Sequence, residues 1–128
     1  MAQVNRHFNV AFMIKASDQD HHLTIMYLKN VSEQEKQQAL NLYRQFVEEN
    51  VVINVEGLHL LDYSSVKPWG KNSVLVEGTI SKFKEDLDQF LLQHFKEKLS
   101  IRKAHVDVKG KFDTKLFPAF NMMDLTMN

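Results

Sequence analysis

The sequence predicts an α+β domain built as two pseudo-repeated lobes of largely antiparallel sheet, each with a packed helix, around a central cleft. Three observations lead there. Strand-like segments precede each of two helix-like segments, and each helix-like segment carries a single apolar stripe. In addition, each half holds one strand with a histidine followed two residues later by a polar group.

Phe8 to Lys15 is β-branched and aromatic enough for a first strand, ended by the polar cluster Ser17, Asp18, Gln19 and Asp20. His21 to Leu28 reads as a second strand, closed by Asn30. Ser32 and Glu35 have capping-box spacing and open a helix that runs to about Asn50. Its apolar positions Ala39, Leu42, Tyr43, Phe46 and Val47 fall on one face of a 3.6-residue period, which should pack on a sheet. Val51 to Leu61 resumes strand character, and Tyr63 to Asn72, with Ser64, Ser65, Pro68 and Gly70, reads as a surface loop. Ser73 to Gly78 is the next strand. Thr79 or Ser81 is placed to cap a second helix to about Leu99, with Phe83, Leu87, Phe90, Leu91, Phe95 and Leu99 as its buried stripe. Lys82, Lys84, Glu85, Asp86 and Asp88 read as that helix's solvated face. Ile101 to Val108 is a strand again, and the tail from Phe112 to Asn128 fits either a last strand or an irregular packed segment.

At 128 residues, 44% hydrophobic and 25% charged, the chain is expected to form one globular domain, residues 1–128. It has no cysteine, which removes disulfides, thiolate metal sites and a thiol nucleophile from consideration. Sixteen basic residues balance sixteen acidic ones, so affinity resting on many phosphates of duplex DNA is not expected. The apolar runs are far shorter than the ~20 residues a membrane helix needs, and Met1 to Asn9 carries no secretory signal. A cytoplasmic monomer with no membrane partner is expected.

The histidine strands carry the functional signal. In His22-Leu23-Thr24-Ile25-Met26-Tyr27 the period of two sets His22 and Thr24 on one face and Leu23, Ile25 and Tyr27 on the other. In Ala104-His105-Val106-Asp107-Val108-Lys109 it sets His105, Asp107 and Lys109 against Ala104, Val106 and Val108. A single histidine on a strand is ordinarily a surface or satisfied core residue; two such strands, 83 residues apart and each in apolar alternation, are a better signal. His7, His59 and His94 lack a polar neighbour in such a pattern, and His21 faces away from His22. Tyr63, Trp69 and Phe112 can stack on a base, although loop aromatics more often cap a core.

With its first His-x-Thr strand at His22-Leu23-Thr24, the following Tyr27-Leu28, and a helix after Asn30-Val31-Ser32, the sequence resembles the two-histidine (2H) phosphoesterases. That family includes RNA 2′,3′-cyclic phosphodiesterases and enzymes that cleave 2′-5′-linked oligoadenylate. Ala104-His105-Val106-Asp107-Val108 lies where the second motif belongs, and the resemblance covers residues 7–111. It implies a metal-independent, cofactor-free phosphodiesterase acting on 2′,3′-cyclic phosphate, 2′-5′-linked or cyclic nucleotides. The implied substrate is a small nucleotide or short RNA, with His22 and His105 sharing the general acid and base roles, and substrate orientation deciding which takes which. Thr24, Asp107 and Lys109 are the expected substrate-binding residues, and no metal ligands are expected.

The sequence departs from the family at Asp107, where the family has Thr or Ser. A hydroxyl donates to phosphate; an ionised carboxylate only accepts and repels an anion. Asp107 is therefore protonated near substrate, or orients a histidine, or meets a ligand hydroxyl, or marks a weakened enzyme. The alternative function is a nucleotide- or RNA-binding module that keeps the cleft and has lost turnover through Asp107; a plain interaction domain with incidental histidines is a third reading.

Overall fold

The computed structural model describes residues 6–16, 21–51, 53, 55–57, 60–61, 65–69, 72–107 and 120–127. The expected α+β class holds, with two helices and a large antiparallel sheet. The elements are β1 (Phe8–Ala16), β2 (His22–Val31), α1 (Glu33–Asn50), β3 (Leu60–Leu61), β4 (Ser65–Pro68), β5 (Ser73–Glu77), α2 (Thr79–Phe95), a 3-10 turn (Lys96–Lys98), β6 (Leu99–Ser100), β7 (His105–Asp107) and β8 (Phe120–Met127). The strands lie in the order β3-β8-β1-β2-β7-β5-β4, with β6 also paired to β2.

Alternation in β1 and β2 sends Phe12, Ile14, Leu23 and Ile25 into one core with Ala39, Tyr43 and Val47 of α1 and Ile80, Leu87 and Leu91 of α2. Each of the Val, Leu, Ile and Phe side chains contributes roughly 1.5–3 kcal/mol by leaving water. Tyr43 is fully buried, and its hydroxyl donates to the Met122 carbonyl at 2.6 Å, tying α1 to β8. Burial pushes that hydroxyl's pKa well above the ordinary tyrosine value. Among the described residues no helix covers the opposite face of the sheet, where His22, Thr24, His105 and Asp107 lie.

The capping box is present as read: Ser32 Oγ accepts from Glu35 N–H at 3.2 Å, and Glu35 Oε1 accepts from Ser32 N–H at 3.1 Å. Lys98 adds a contact to Glu35 Oε2 at 2.6 Å. The Lys98 ammonium, and after it the Ser32 amide, hold the Glu35 carboxyl below the usual glutamate range. Its stabilisation is thus present above the ordinary glutamate pKa and is lost as pH falls through the folded value. Glu35→Gln should cost ~1 kcal/mol at neutral pH. The gap from wild type should close on acidification, measured by urea unfolding across pH; a gap that stays constant would assign the effect to geometry and not to charge.

Several expectations are corrected. Asn30 does not end β2; it takes φ 57°, a conformation asparagine tolerates, and its N–H bonds Asn9 Oδ1 at 3.0 Å while the strand continues to Val31. Val51 to Leu61 is not a strand throughout: Val51 caps α1, Gly57 turns at φ 79°, and among the described residues of this stretch the strand comprises Leu60–Leu61. The expected loop from Tyr63 to Asn72 contains β4, which pairs with β5 as an edge strand; an edge tolerates Pro68. Neither Thr79 nor Ser81 caps α2; the cap is Gly78 at φ 93°, ψ −132°, a region open to glycine. The helix ends at Phe95, so Leu99 is buried from β6. Of the expected strand from Ile101 to Val108, residues 101–104 are not strand and His105–Asp107 are, while Val108 lies outside the described residues; the tail supplies β8.

The largest correction concerns the surface of α2. Lys84 and Asp88 are not solvated but 5% and 3% exposed, paired at 2.9 Å between Nζ and Oδ2. Lys82 and Asp86 do form a surface pair, at 2.7 Å. No helix among the described residues is long and apolar enough to cross a membrane.

Candidate functional site

The two histidine strands are neighbours. β2 and β7 pair antiparallel with Leu23 against Val106, both fully buried. Carried one residue to each side, this register sets Thr24 beside His105 and His22 beside Asp107 on the open face. His22 and His105 are then diagonal neighbours, a relation that separates Cβ atoms by roughly 7–8 Å. β5 extends the rows, with Leu75 against His105 and Ser73 against Asp107.

A bulge shapes the β2 side. Phe12 pairs with Met26 and Met13 with Thr24, so Ile25 is the extra residue, and Ile25 and Met26 are both buried. The alternation beyond it is reset, bringing Tyr27 and Lys29 to the face that holds Thr24. The expectation that Tyr27 would face with Leu23 fails for this reason.

Thr24, Tyr27, Lys29, Ser100, Arg102, Lys103, His105 and Asp107 line a cavity of about 480 Å³, with Lys84 at its wall. Trp69, Ser73, Arg102, Lys103 and His105 line an adjoining groove of about 590 Å³. Three of the expected site residues, Thr24, His105 and Asp107, therefore meet in one cavity. His22 shares their face but lies outside that cavity's lining, and Lys109 lies outside the described residues. Tyr63, His59 and Phe112 also lie outside them.

His105 Nδ1 is 2.8 Å from the Lys103 carbonyl. A carbonyl only accepts, so Nδ1 is the donor here, and a ring carrying that one proton has its lone pair on Nε2. The orienting contact thus comes from the backbone two residues upstream. Asp107 is held instead by Ser73, whose hydroxyl donates to Oδ1 at 2.9 Å. Trp69 is 43% exposed and meets the His105 ring edge-on, centroids 4.8 Å apart, so it flanks the site and does not cap the core. His94 is exposed on α2, edge-on to Phe90.

Lys29, Arg102 and Lys103 were not singled out by the sequence reading, yet they make the cavity cationic in a chain of zero formal net charge. The available signal was the pair Arg102-Lys103 directly before the second motif. Such a surface favours an anion. Among the described residues, no three His, Asp or Glu side chains converge as metal ligands would. No protein-family model, curated protein or solved structure matches this chain.

Proposed function

We propose that the protein is a phosphodiesterase of the two-histidine type, cleaving a 2′,3′-cyclic phosphate, a 2′-5′ linkage or a cyclic oligonucleotide without metal. The observation that carries this reading is the register of β2 against β7, which makes His22 and Thr24 neighbours of His105 and Asp107 across 83 residues of chain. The diagonal spacing of the imidazoles leaves room for one phosphate between them, the arrangement a base and an acid need on opposite sides of phosphorus. His105, oriented through Nδ1 so that Nε2 is left for the substrate, is the base toward the attacking oxygen; His22 is the acid toward the leaving one. Thr24 and the Arg102-Lys103 pair stabilise the growing negative charge. In this reading the β1-β2-α1 and β4-β5-α2 units are the two lobes, and the β2–β7 seam is the floor of the cleft.

The test is hydrolysis of a panel of 2′,3′-cyclic nucleotides, 2′-5′ oligonucleotides and cyclic dinucleotides, set beside binding of the same panel. Turnover of none of them by wild type would refute the enzyme reading. Chelation should leave the rates unchanged; activity lost to chelator and restored by one divalent cation would remove the two-histidine scheme.

Asp107 favours a second reading, a binding module without turnover, because it sets a carboxylate in an anion site. The substitution Asp107→Thr separates the two. If the carboxylate, fixed by Ser73, accepts from a ligand hydroxyl, turnover of the true substrate should drop by about 1–3 kcal/mol of transition-state binding. Lys29, Arg102 and Lys103 offset its charge, which supports this sign. A variant faster than wild type on every substrate would show Asp107 to be a defect.

A further inference from the structure

The sheet is breached beside the histidines. β6 holds β2 at Tyr27–Ser100 and Leu28–Leu99, and β7 holds it at Leu23–Val106. Between these anchors residues 24–26 of β2 face residues 101–105, two more than pairing accommodates. The surplus chain leaves β2: Ile101, Arg102 and Lys103 are exposed, and the Ala104 carbonyl turns to β5, accepting from Val76 N–H at 3.0 Å.

Lys84 stands behind this opening. It belongs to α2, in the layer beneath the sheet, yet it lines the histidine cavity on the far side together with Thr24, Met26 and His105. It also lines a cavity of about 810 Å³ on the helix side, with Gly78, Ser81, Asp88 and Ala104. Lys84 thus lines a cavity on each side of the gap. Its charge is balanced from below by Asp88, whose Oδ2 holds Nζ while Oδ1, buried, has no hydrogen-bond partner.

A buried ion pair is a poor means of stabilising a helix, since an apolar pair of similar volume commonly serves as well. Its place at a breach into a cationic cavity gives it another use. We propose that Lys84 binds the phosphate of the ligand, its ammonium donating through the opening to a phosphate oxygen while Asp88 Oδ2 keeps its contact with the same Nζ. The inference rests on the phosphodiesterase reading for the identity of the anion. The ammonium has three donors and Asp88 takes one, so a phosphate oxygen can be engaged by another without breaking the Asp88 contact.

The probes are inorganic phosphate and adenosine 2′-monophosphate, titrated into the full chain by calorimetry. Lys84→Met alone leaves a buried carboxylate and is a poor test, so Lys84→Met/Asp88→Leu is used, with its fold checked by circular dichroism. The double variant should bind both probes roughly 10- to 100-fold more weakly. Lys82→Met, which breaks only the surface pair with Asp86, should bind as wild type does. If the double variant does not fold, the nearly isosteric and uncharged Lys84→Gln/Asp88→Asn takes its place and should show the same loss. Undiminished binding in whichever double variant folds, or no phosphate binding by wild type, overturns the inference. Hydrolysis is scored separately. A wild type that cleaves cyclic nucleotides while the double variant keeps its affinity leaves the enzyme reading standing without Lys84; a wild type that binds phosphate through Lys84 but cleaves nothing does the reverse.

Discussion

His105→Ala should lower turnover of the best substrate in the panel by about 10²–10⁴ while the protein stays folded. The effect is expected on the chemical step, because the ring contributes its Nε2 lone pair and little packing: Val106 beside it is fully buried, whereas His105 lies on the open face. His22→Ala should give a loss of the same order. The double variant should cost much less than the product of the singles, since an acid and a base that serve one proton transfer sequence act as a unit. Single-turnover rates with unfolding curves for each variant decide the matter. Wild-type rates in His105→Ala would remove that ring from the mechanism, and full multiplicativity would separate the two histidines into independent roles.

The same alternation that makes His105 dispensable for packing is what made the motif visible. A period of two is a property of a strand alone, so the faces of His22-Leu23-Thr24 and Ala104-His105-Val106 could be read without knowing the fold, and the Ser32/Glu35 cap could be read for the same reason. What could not be read depends on distant chain. β4 forms in a segment containing serine and proline because β5 offers it a partner. The reset of Tyr27 requires knowing that Met13 pairs with Thr24, and the breach at residues 101–104 requires knowing that β6 and β7 share β2 as a neighbour. The burial of Lys84 and Asp88 was half legible. Counting the α2 stripe from Phe83 turned it toward Phe90, which is only half-buried. Starting it at Ile80, which is fully buried, turns the inward face to positions 84, 87, 88 and 91. A charge pair four residues apart inside that stripe was the available sign.

That pair yields the second large effect, on stability. Lys84→Met removes the counter-charge of a carboxylate 3% exposed, and should destabilise by about 3–5 kcal/mol at neutral pH. Lys84→Met/Asp88→Leu removes both charges and should return to within ~1 kcal/mol of wild type or exceed it. The pH dependence gives an independent check. Burial raises the Asp88 carboxyl above the usual aspartate range even with Lys84 beside it. Between the ordinary and the raised value the folded state binds more protons than the unfolded one, so this group's contribution to stability grows as pH falls through that window. Without Lys84 the carboxyl shifts further upward, and the window widens toward neutrality. Lys84→Met should therefore recover part of its deficit on mild acidification, as protonation discharges the buried group, while the double variant shows no such recovery. Guanidinium unfolding of the three proteins at a series of pH values measures this. A single variant as stable as wild type at neutral pH would mean that water or a relaxed backbone reaches Asp88, and that the breach in the sheet is open from below as well as above.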